Sequence, residues 1–272
     1  MRFRVTIVAL AMVIGPLVWF VHNKDQAAGF LEHDYPGTFS ILGVDPDTGD
    51  IGGAVQSCVF SVNGVLWAEA GVGALATQAI VDVSYGPQGL ELLRKGMDPK
   101  EIIKTIWERD PDPRPDNWTK HGRQFAVINA KGEMAAFTGP KATTWAGDKQ
   151  GKFCTAQGNI LAGQGVVDGM VAAFESTEKR EDGQRNHLAF RLVAALEAGQ
   201  AAGGDTRCQR SASLLIVRKN GGPWLNNDVV LHLKVDDNPE PIKELRRLVQ
   251  ASPVGRGRRG GGGGGTAGGG GR

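Results

Sequence analysis

The stretch that decides the fold is residues 38–61, TFSILGVDPDTGDIGGAVQSCVFS. Its two apolar halves, residues 38–44 and 51–61, have the composition of β-strands. Residues 45–50 between them (DPDTGD) place Pro and Gly at turn positions, with Asp side chains that bond the local backbone. This pattern predicts an antiparallel hairpin that opens the folded region.

Outward from this hairpin, strand-like runs and helical runs follow each other in groups. The strand groups come largely as hairpins, so we expect mostly antiparallel sheets, and the paired helices predict layers that cover them. Strict β-α-β alternation is missing, so a doubly wound parallel sheet fits less well. The order predicts an α+β fold, a four-layer αββα sandwich. Further strands are expected at residues 65–70, 72–79, 123–130, 133–138, 153–157, 212–219 and 229–235. Helices are expected at residues 85–95, from Asp98-Pro99 onward, and at 166–176, 184–198 and 239–250. Residues 138–140 and 145–147 are expected to be turn or packing elements.

Three regions are expected along the chain: residues 1–37, a domain over 38–251, and a tail over 252–272. Residues 5–21 are apolar and uncharged and follow two arginines, which is typical of an export signal. A cleaved signal peptide and an uncleaved membrane anchor both remain open, and both place the domain outside the cytoplasm, in the periplasm or secreted. The tail is so rich in Gly and Arg that disorder is expected. It is either an inert extension or an RGG-like binding segment.

Charge and cysteine usage exclude several function classes. Residues 38–251 carry 24 basic and 26 acidic side chains, so the basic pI of the chain belongs to its ends. This argues against nucleic acid as a partner of the domain. Three cysteines without C-x-x-C spacing leave either one disulfide or buried thiols. The five scattered histidines predict no metal site, and no cofactor motif has the context it needs.

A polar segment follows the predicted fourth helix. Gly199 could cap that helix, and Gly203-Gly204 would let backbone N–H groups approach a ligand. Asp205, Arg207 and Gln209 then alternate toward Ser211, so they would project to one side of a starting strand. Either this is a polar substrate pocket, or it is a helix cap followed by a solvated strand face.

A second polar segment is Gln157-Gly158-Asn159, set between apolar residues. An Asn side chain can donate a hydrogen bond to an oxyanion, which makes Asn159 a catalytic candidate. The alternative is an ordinary turn.

Long, ordered motifs resemble a known family over nearly all of residues 38–248. They are TFSILGVDPDTGDIGGAVQS, GVGALATQA, YGPQGLELL, FTG, QGNILAG, LEAGQAAGGD, QRSASLLIV and VDDNPEPIKELRRL. Together they look like the bacterial domain of unknown function 1028 family, which is grouped with the N-terminal-nucleophile (Ntn) hydrolases. The resemblance implies an αββα sandwich and hydrolysis of an amide bond in a small or peptide-like substrate.

The resemblance also implies a mechanism centred on Thr38. In Ntn hydrolases the first residue of the mature chain is the nucleophile, and its own α-amine is the base. Here Thr38 follows 37 residues, so its nitrogen is an amide until the Gly37–Thr38 bond is cut. By position, Asn159 would supply the oxyanion donor, and Ser57 would contact the nucleophile. Gly203, Gly204, Asp205, Arg207 and Gln209 would bind the polar end of the substrate, with Arg207 suited to a carboxylate.

A non-catalytic binding protein outside the cytoplasm is the alternative on the same fold. It would use the polar pocket while Thr38 stays blocked, which the uncleaved-anchor interpretation favours. The sequence leaves the oligomeric state open.

Overall fold

A computed structural model of the protein describes residues 37–256. The expectations for the apolar segment at 5–21 and for most of the Gly/Arg tail lie outside the described residues. Across residues 37–256, none of the helices has the length and apolar character needed to cross a membrane.

Ten strands and five α-helices make up the described part of the chain. All observed strand pairs are antiparallel, as the hairpin pattern predicted. The strands are β1 (Thr38–Asp45), β2 (Asp50–Ser57), β3 (Leu66–Glu69), β4 (Gly73–Ala79), β5 (Arg123–Asn129), β6 (Met134–Thr138), β7 (Trp145–Gly151), β8 (Cys154–Leu161), β9 (Ser211–Val217) and β10 (Val229–Val235). The helices are α1 (Tyr85–Arg94), α2 (Pro99–Arg109), α3 (Gly165–Ser176), α4 (Leu188–Ala201) and α5 (Pro241–Ala251), with a short 3-10 helix at Lys120–Gly122.

The strands form two sheets, with the opening hairpin at the centre of the larger one. Six strands lie in the order β10-β9-β2-β1-β8-β7, and four in the order β3-β4-β5-β6. The β1–β2 register runs from Thr38 opposite Ser57 to Asp45 opposite Asp50. Thr38 therefore lies at one end of the central hairpin, and the tight turn lies at the other.

Strand alternation sends side chains from each sheet into two different cores. Phe39 and Ile41 of β1 pack in a core with α3, α4 and α5, whereas Leu42 and Val44 pack in a core with residues of the smaller sheet. A third core joins the smaller sheet to α1 and α2. The layers are therefore helices, sheet, sheet and helices, which confirms the predicted αββα sandwich.

Three local predictions are wrong. Residues 145–147 belong to strand β7, which is an edge strand with a partly exposed pattern, and are not a turn. Residues 157–159 lie inside β8, so the turn interpretation of that segment fails. Gly199 is not a helix cap, because α4 continues to Ala201 and Gly199 packs in its interior.

The start of α2 and the end of α5 fit their local chemistry. Asp98 caps α2 by accepting from the backbone N–H of Lys100, with Pro99 in the first turn, as expected. After α5, Ser252 is buried and its hydroxyl donates to the Val249 carbonyl, and Val254 packs against the core. The first residues of the segment assigned to the tail therefore belong to the packed structure.

Candidate active site at the start of the central strand

Thr38 begins the central strand and is only 3% exposed. Its side chain lies on the face of β1 that is directed at the smaller sheet, the face it shares with Ser40 and Leu42. Along this face the space between the sheets changes character. It is apolar near Val44 and becomes polar toward Thr38.

A chain of two hydroxyl groups connects Thr38 to the peptide bond that precedes it. Thr38 Oγ1 donates to Ser57 Oγ over 3.1 Å. Ser57 Oγ in turn donates to the carbonyl oxygen of Gly37 over 2.7 Å. The nucleophile candidate is thus linked through one side chain to the carbonyl of the Gly37–Thr38 bond.

A loop between α4 and β9 supplies a second donor to the same carbonyl. Arg207 Nη2 donates to the Gly37 oxygen over 3.1 Å. Asp205 holds this guanidinium through contacts of 2.9 and 3.1 Å, and its own side chain is fully buried. Two donors, one of them charged, therefore withdraw electron density from the Gly37 carbonyl.

A side chain at the residue before Thr38 would displace the Asp205–Arg207 pair. A Cβ atom at residue 37 would lie 2.5 Å from Asp205 Oδ2 and 2.8 Å from Arg207 Nη2. Contacts this short force a neighbour to move, and here the neighbours are the ion pair that reaches the carbonyl. The absence of a side chain at Gly37 is therefore what lets the pair approach the peptide bond.

A buried glutamine network supports Thr38 from the smaller sheet. Gln78 Nε2 donates to the Thr38 carbonyl over 3.2 Å and to Gln124 Oε1 over 2.8 Å. Ser40 Oγ donates to Gln78 Oε1, and Gln157 Nε2 donates to Ser40 Oγ, each over 2.6 Å. Buried polar side chains that satisfy each other in this way rigidify their surroundings.

Asn159 is the β8 residue opposite Thr38 in the β1–β8 ladder, and it is 2% exposed. Directly opposed residues of adjacent strands share one face of a sheet. The structure therefore brings Asn159 next to Thr38, and its role as an oxyanion donor stays a prediction.

The other predicted substrate contacts separate into three groups. Asp205 and Arg207 reach the Gly37 carbonyl, as described above. Gly203 and Gly204 both have positive φ, and their N–H groups bond to the carbonyls of Gln200 and Gly199, so these glycines terminate α4. Gln209 borders a surface groove beside α4 and α5. Residues 205–210 precede β9, so the expected strand alternation along them does not occur.

A disulfide fastens the loop to the hairpin. Cys58 directly follows β2 and Cys208 directly follows Arg207, and the two sulfur atoms are bonded. This selects the disulfide between the two alternatives that the sequence left open. Cys154 is a free thiol, and burial raises its pKa to about 12, so it is not a ready nucleophile.

Sequence reasoning missed the glutamine network. The pattern that could have indicated it is a glutamine that continues a row of small buried residues on one face of a strand, as Gln78 does after Ala74 and Ala76. Within residues 37–256, no group of three or more His, Cys, Asp or Glu side chains is placed to hold a metal ion. The side chains described around Thr38 are hydroxyls, amides and one Arg–Asp pair.

Comparisons with known proteins agree with the extent of the folded domain. A family model described as "Family of unknown function (DUF1028)" matches residues 38–245. Among solved structures, the crystal structure of protein SPO2555 from Silicibacter pomeroyi, described as matching the same family model, is 28% identical. The alignment covers 80% of this chain and 86% of that one, with a TM-score of 0.67. No curated protein matches the chain.

Proposed function

The chain belongs to the family of unknown function DUF1028, and from the site at the start of its central strand we propose that it is an amidohydrolase with Thr38 as nucleophile. Its substrate is a small or peptide-like molecule with an amide bond. The enzyme becomes active when the Gly37–Thr38 bond is cut, because only then is the Thr38 nitrogen an amine that can act as a base.

The observation that carries this proposal is the pair of donors on the Gly37 carbonyl. Ser57 Oγ and Arg207 Nη2 both contact that oxygen. Donors placed on a carbonyl oxygen favour attack at its carbon, because they stabilise the negative charge that develops on the oxygen. The hydroxyl of Thr38 lies within hydrogen-bond distance of one of these donors. The arrangement supports cleavage at this bond by the chain itself.

The self-cleavage step balances without a further reagent except water. The Thr38 hydroxyl oxygen bonds to the Gly37 carbonyl carbon, and the bond from that carbon to the Thr38 nitrogen breaks. The hydroxyl proton ends on the leaving nitrogen, so an amide becomes an ester and a free amine. Water hydrolyses the ester, which releases the preceding chain as a carboxylate and restores the Thr38 hydroxyl.

The same donors then serve the substrate. Once the residues before Thr38 have left, the position of the Gly37 carbonyl oxygen is open to the carbonyl oxygen of a substrate amide. Ser57 and Arg207 would stabilise its oxyanion, and the buried Asn159 beside Thr38 would add a third donor. Asp205 holds the Arg207 guanidinium in the position from which it would contact this oxygen.

Intact mass and N-terminal sequencing of the full chain test the proposal directly. We expect the recovered protein to begin at Thr38, and the Thr38→Ala variant to keep the preceding residues. Thr77→Ala is the matched control, since Thr77 is a buried threonine of strand β4 whose hydroxyl donates to the Asp82 carbonyl and not to the site. A wild-type chain that keeps residues before Thr38 would contradict the proposal and favour a binding protein.

A β-lactone probe tests the nucleophile without knowledge of the substrate. A hydroxyl nucleophile opens the strained lactone and gains its entire mass as an ester. We expect labelling of the chain that begins at Thr38 and none of Thr38→Ala. Equal labelling of both proteins would assign the reactivity to another residue.

A further inference from the structure

A second site lies at the opposite end of the central hairpin. A groove of about 680 Å³ is bordered by the start of α4, the β9–β10 hairpin and the chain after α5, and we name it the β10 groove. Asp50, beside this groove, pairs with Asp45 at the turn of the β1–β2 hairpin, whereas Thr38 pairs with Ser57 at its other end. An eight-residue strand spans about 25 Å, so the two sites are separate.

The walls of the β10 groove are largely apolar. Val230, Leu231, Pro253 and Val254 contribute to them, together with glycine and proline residues of the hairpin loop. That loop also carries Trp224 and Leu225, which are 75% and 97% exposed. Adjacent large apolar side chains this exposed are typical of a binding surface, and the groove volume is in the usual range for small-molecule sites.

The ionisable side chains that line the groove are all basic. Arg218 and the histidines His187 and His232 line it, and no Asp or Glu among the described residues does. Asp50, which pairs with Arg218, has a side chain that is 1% exposed and therefore out of reach of a ligand. A cationic ligand would find no carboxylate among the described residues that line the groove, whereas an anionic one would find Arg218.

The Arg218 guanidinium has more N–H donors than its ion pair with Asp50 uses. Its Nη1 lies 3.0 Å from Asp50 Oδ1, and its side chain is 32% exposed. A guanidinium carries five N–H donors, so the ion pair with Asp50 leaves others for a second acceptor. The other oxygen of Asp50 lies 3.4 Å from His187 Nε2, so Asp50 lies between Arg218 and His187.

His187 is fixed as a neutral neighbour. Its Nδ1 accepts from the backbone N–H of Ala189 at the start of α4, which places the ring proton on Nε2. Burial and the Arg218 charge lower the pKa of His187, although Asp50 opposes the shift. The groove therefore offers a single permanent positive charge surrounded by apolar surface.

From this charge and shape we infer that the β10 groove binds a small amphipathic carboxylate, with its head on Arg218 and its apolar body against Val230, Leu231 and Val254. One guanidinium matches the two oxygens of one carboxylate. The site goes beyond the proposed amidohydrolase activity, because it uses neither Thr38 nor the residues around it.

Calorimetric titration of the full chain with decanoate and with decanol tests the inference. The two probes share an apolar chain and differ in the head group. We expect decanoate to bind at least tenfold more tightly than decanol. Arg218→Gln should weaken decanoate binding about tenfold and leave decanol binding unchanged. Lys234→Gln is the matched control, because it removes a positive charge from β10 outside the groove, and it should bind decanoate as the wild type does.

A second pair of variants keeps the Asp50–Arg218 ion pair, in case its loss unfolds the protein. Val229 lines the groove and is 37% exposed. Val229→Glu should weaken decanoate binding relative to the isosteric Val229→Gln, since only the former adds a negative charge. Equal affinities for the two probes, or equal decanoate binding by these two variants, would overturn the inference. Loss of decanoate binding in Thr38→Ala would do the same, because it would place the ligand at the other end of the hairpin.

Discussion

The two ends of the β1–β2 hairpin are both buried, yet they are built from different chemistry. At the open end, the paired residues are Thr38 and Ser57, whose hydroxyl groups bond to each other. At the turn end, the paired residues are Asp45 and Asp50, whose carboxylates are each about 1% exposed. The same two strands thus carry neutral hydroxyls at one end and buried acids at the other.

From this difference we expect the open end to control the cleavage reaction and the turn end to control the stability of the fold. Buried carboxylates need counterions, and the turn end has them in Arg185 beside Asp45 and in Arg218 beside Asp50. Hydroxyl groups need none, so the open end can hold a reactive oxygen close to a peptide bond. Variants at the open end should therefore change processing, whereas variants at the turn end should change stability.

Removal of the Ser57 hydroxyl should have the largest effect. Ser57→Ala takes one donor from the Gly37 carbonyl and the hydrogen-bond acceptor from Thr38. We expect cleavage at Gly37–Thr38 to slow by about 10²–10³-fold, the usual loss for one oxyanion donor. The rate is measured by intact mass over time after purification.

Ser213→Ala is the control for this variant. Ser213 is a buried serine on β9, and its hydroxyl donates to the Leu233 carbonyl far from the cleavage site. It should be processed at the wild-type rate. A Ser57→Ala chain that matches the Ser213→Ala rate would show that the hydroxyl chain has no part in cleavage.

Loss of the Cys58–Cys208 disulfide comes next. The bond closes a loop of 150 residues and fastens the Arg207 loop to the end of β2. The double variant to Ser should lose about 2–4 kcal/mol of unfolding free energy, as is typical of a structural disulfide. It should also cleave more slowly, because Arg207 is then held less firmly against Gly37.

Urea unfolding and cleavage rates measure both effects on one protein. Cys154→Ser is the matched control, since it changes a buried cysteine and leaves the disulfide intact. If the double variant were destabilised but cleaved as fast as wild type, the disulfide would serve stability alone.

Most of the fold could be predicted from local pattern. The hairpin and α2 carried turn and cap signals that act over a few residues, as with Asp98 and Pro99. Strand β7 was missed because an edge strand with exposed residues such as Asp148 and Lys149 has no clear alternation. The alternation of a strand arises from side chains that are buried on one face, and no residue of β7 is fully buried.

The site could be predicted only in part, because its contacts are non-local. Thr38 and Ser57 followed from a resemblance and from their places in the hairpin. The contact from Arg207 to Gly37 joins residues 170 positions apart, and no local period encodes it. For Gly203 and Gly204 the local pattern fits two roles, since a helix end and a ligand loop both favour paired glycines.

At the turn end, Asp45→Asn should cost stability without touching cleavage. Asp45 Oδ1 accepts from the backbone N–H of Asp47 over 3.0 Å and contacts Arg185 at 3.1 Å. Loss of the charge should lower the unfolding free energy by about 1–3 kcal/mol, the usual range for bonds to a charged group. Asp47→Asn is the control, because its side chain is 63% exposed.

Urea unfolding should show this loss for Asp45→Asn and almost none for Asp47→Asn, while both chains begin at Thr38 after purification. Slow cleavage in Asp45→Asn would contradict the distinction between the two ends, because a substitution at the turn end would then alter the reaction at the other end of β1.

The smallest effect should appear in the pH dependence of stability. Burial lowers the pKa of His187 in the folded protein, where Asp50, Arg218 and Asp45 are the charged groups that act on it. The unfolded chain then binds a proton more readily, so this group costs stability as the pH falls below its ordinary value of about 6.5. His187→Asn should keep the cap on Ala189 and lose this cost.

Thermal melts between pH 7 and pH 5 measure the difference. The Tm of His187→Asn should fall less on acidification than the Tm of wild type, and its cleavage rate at pH 7 should be unchanged. An equal fall would mean that burial and the Asp50 charge cancel at His187, and a steeper fall would mean that the Asp50 carboxylate, not burial, controls its pKa. In the case of a steeper fall, protonation of His187 would stabilise the folded protein. The buried acids would then be paired with a charged imidazole as well as with Arg185 and Arg218.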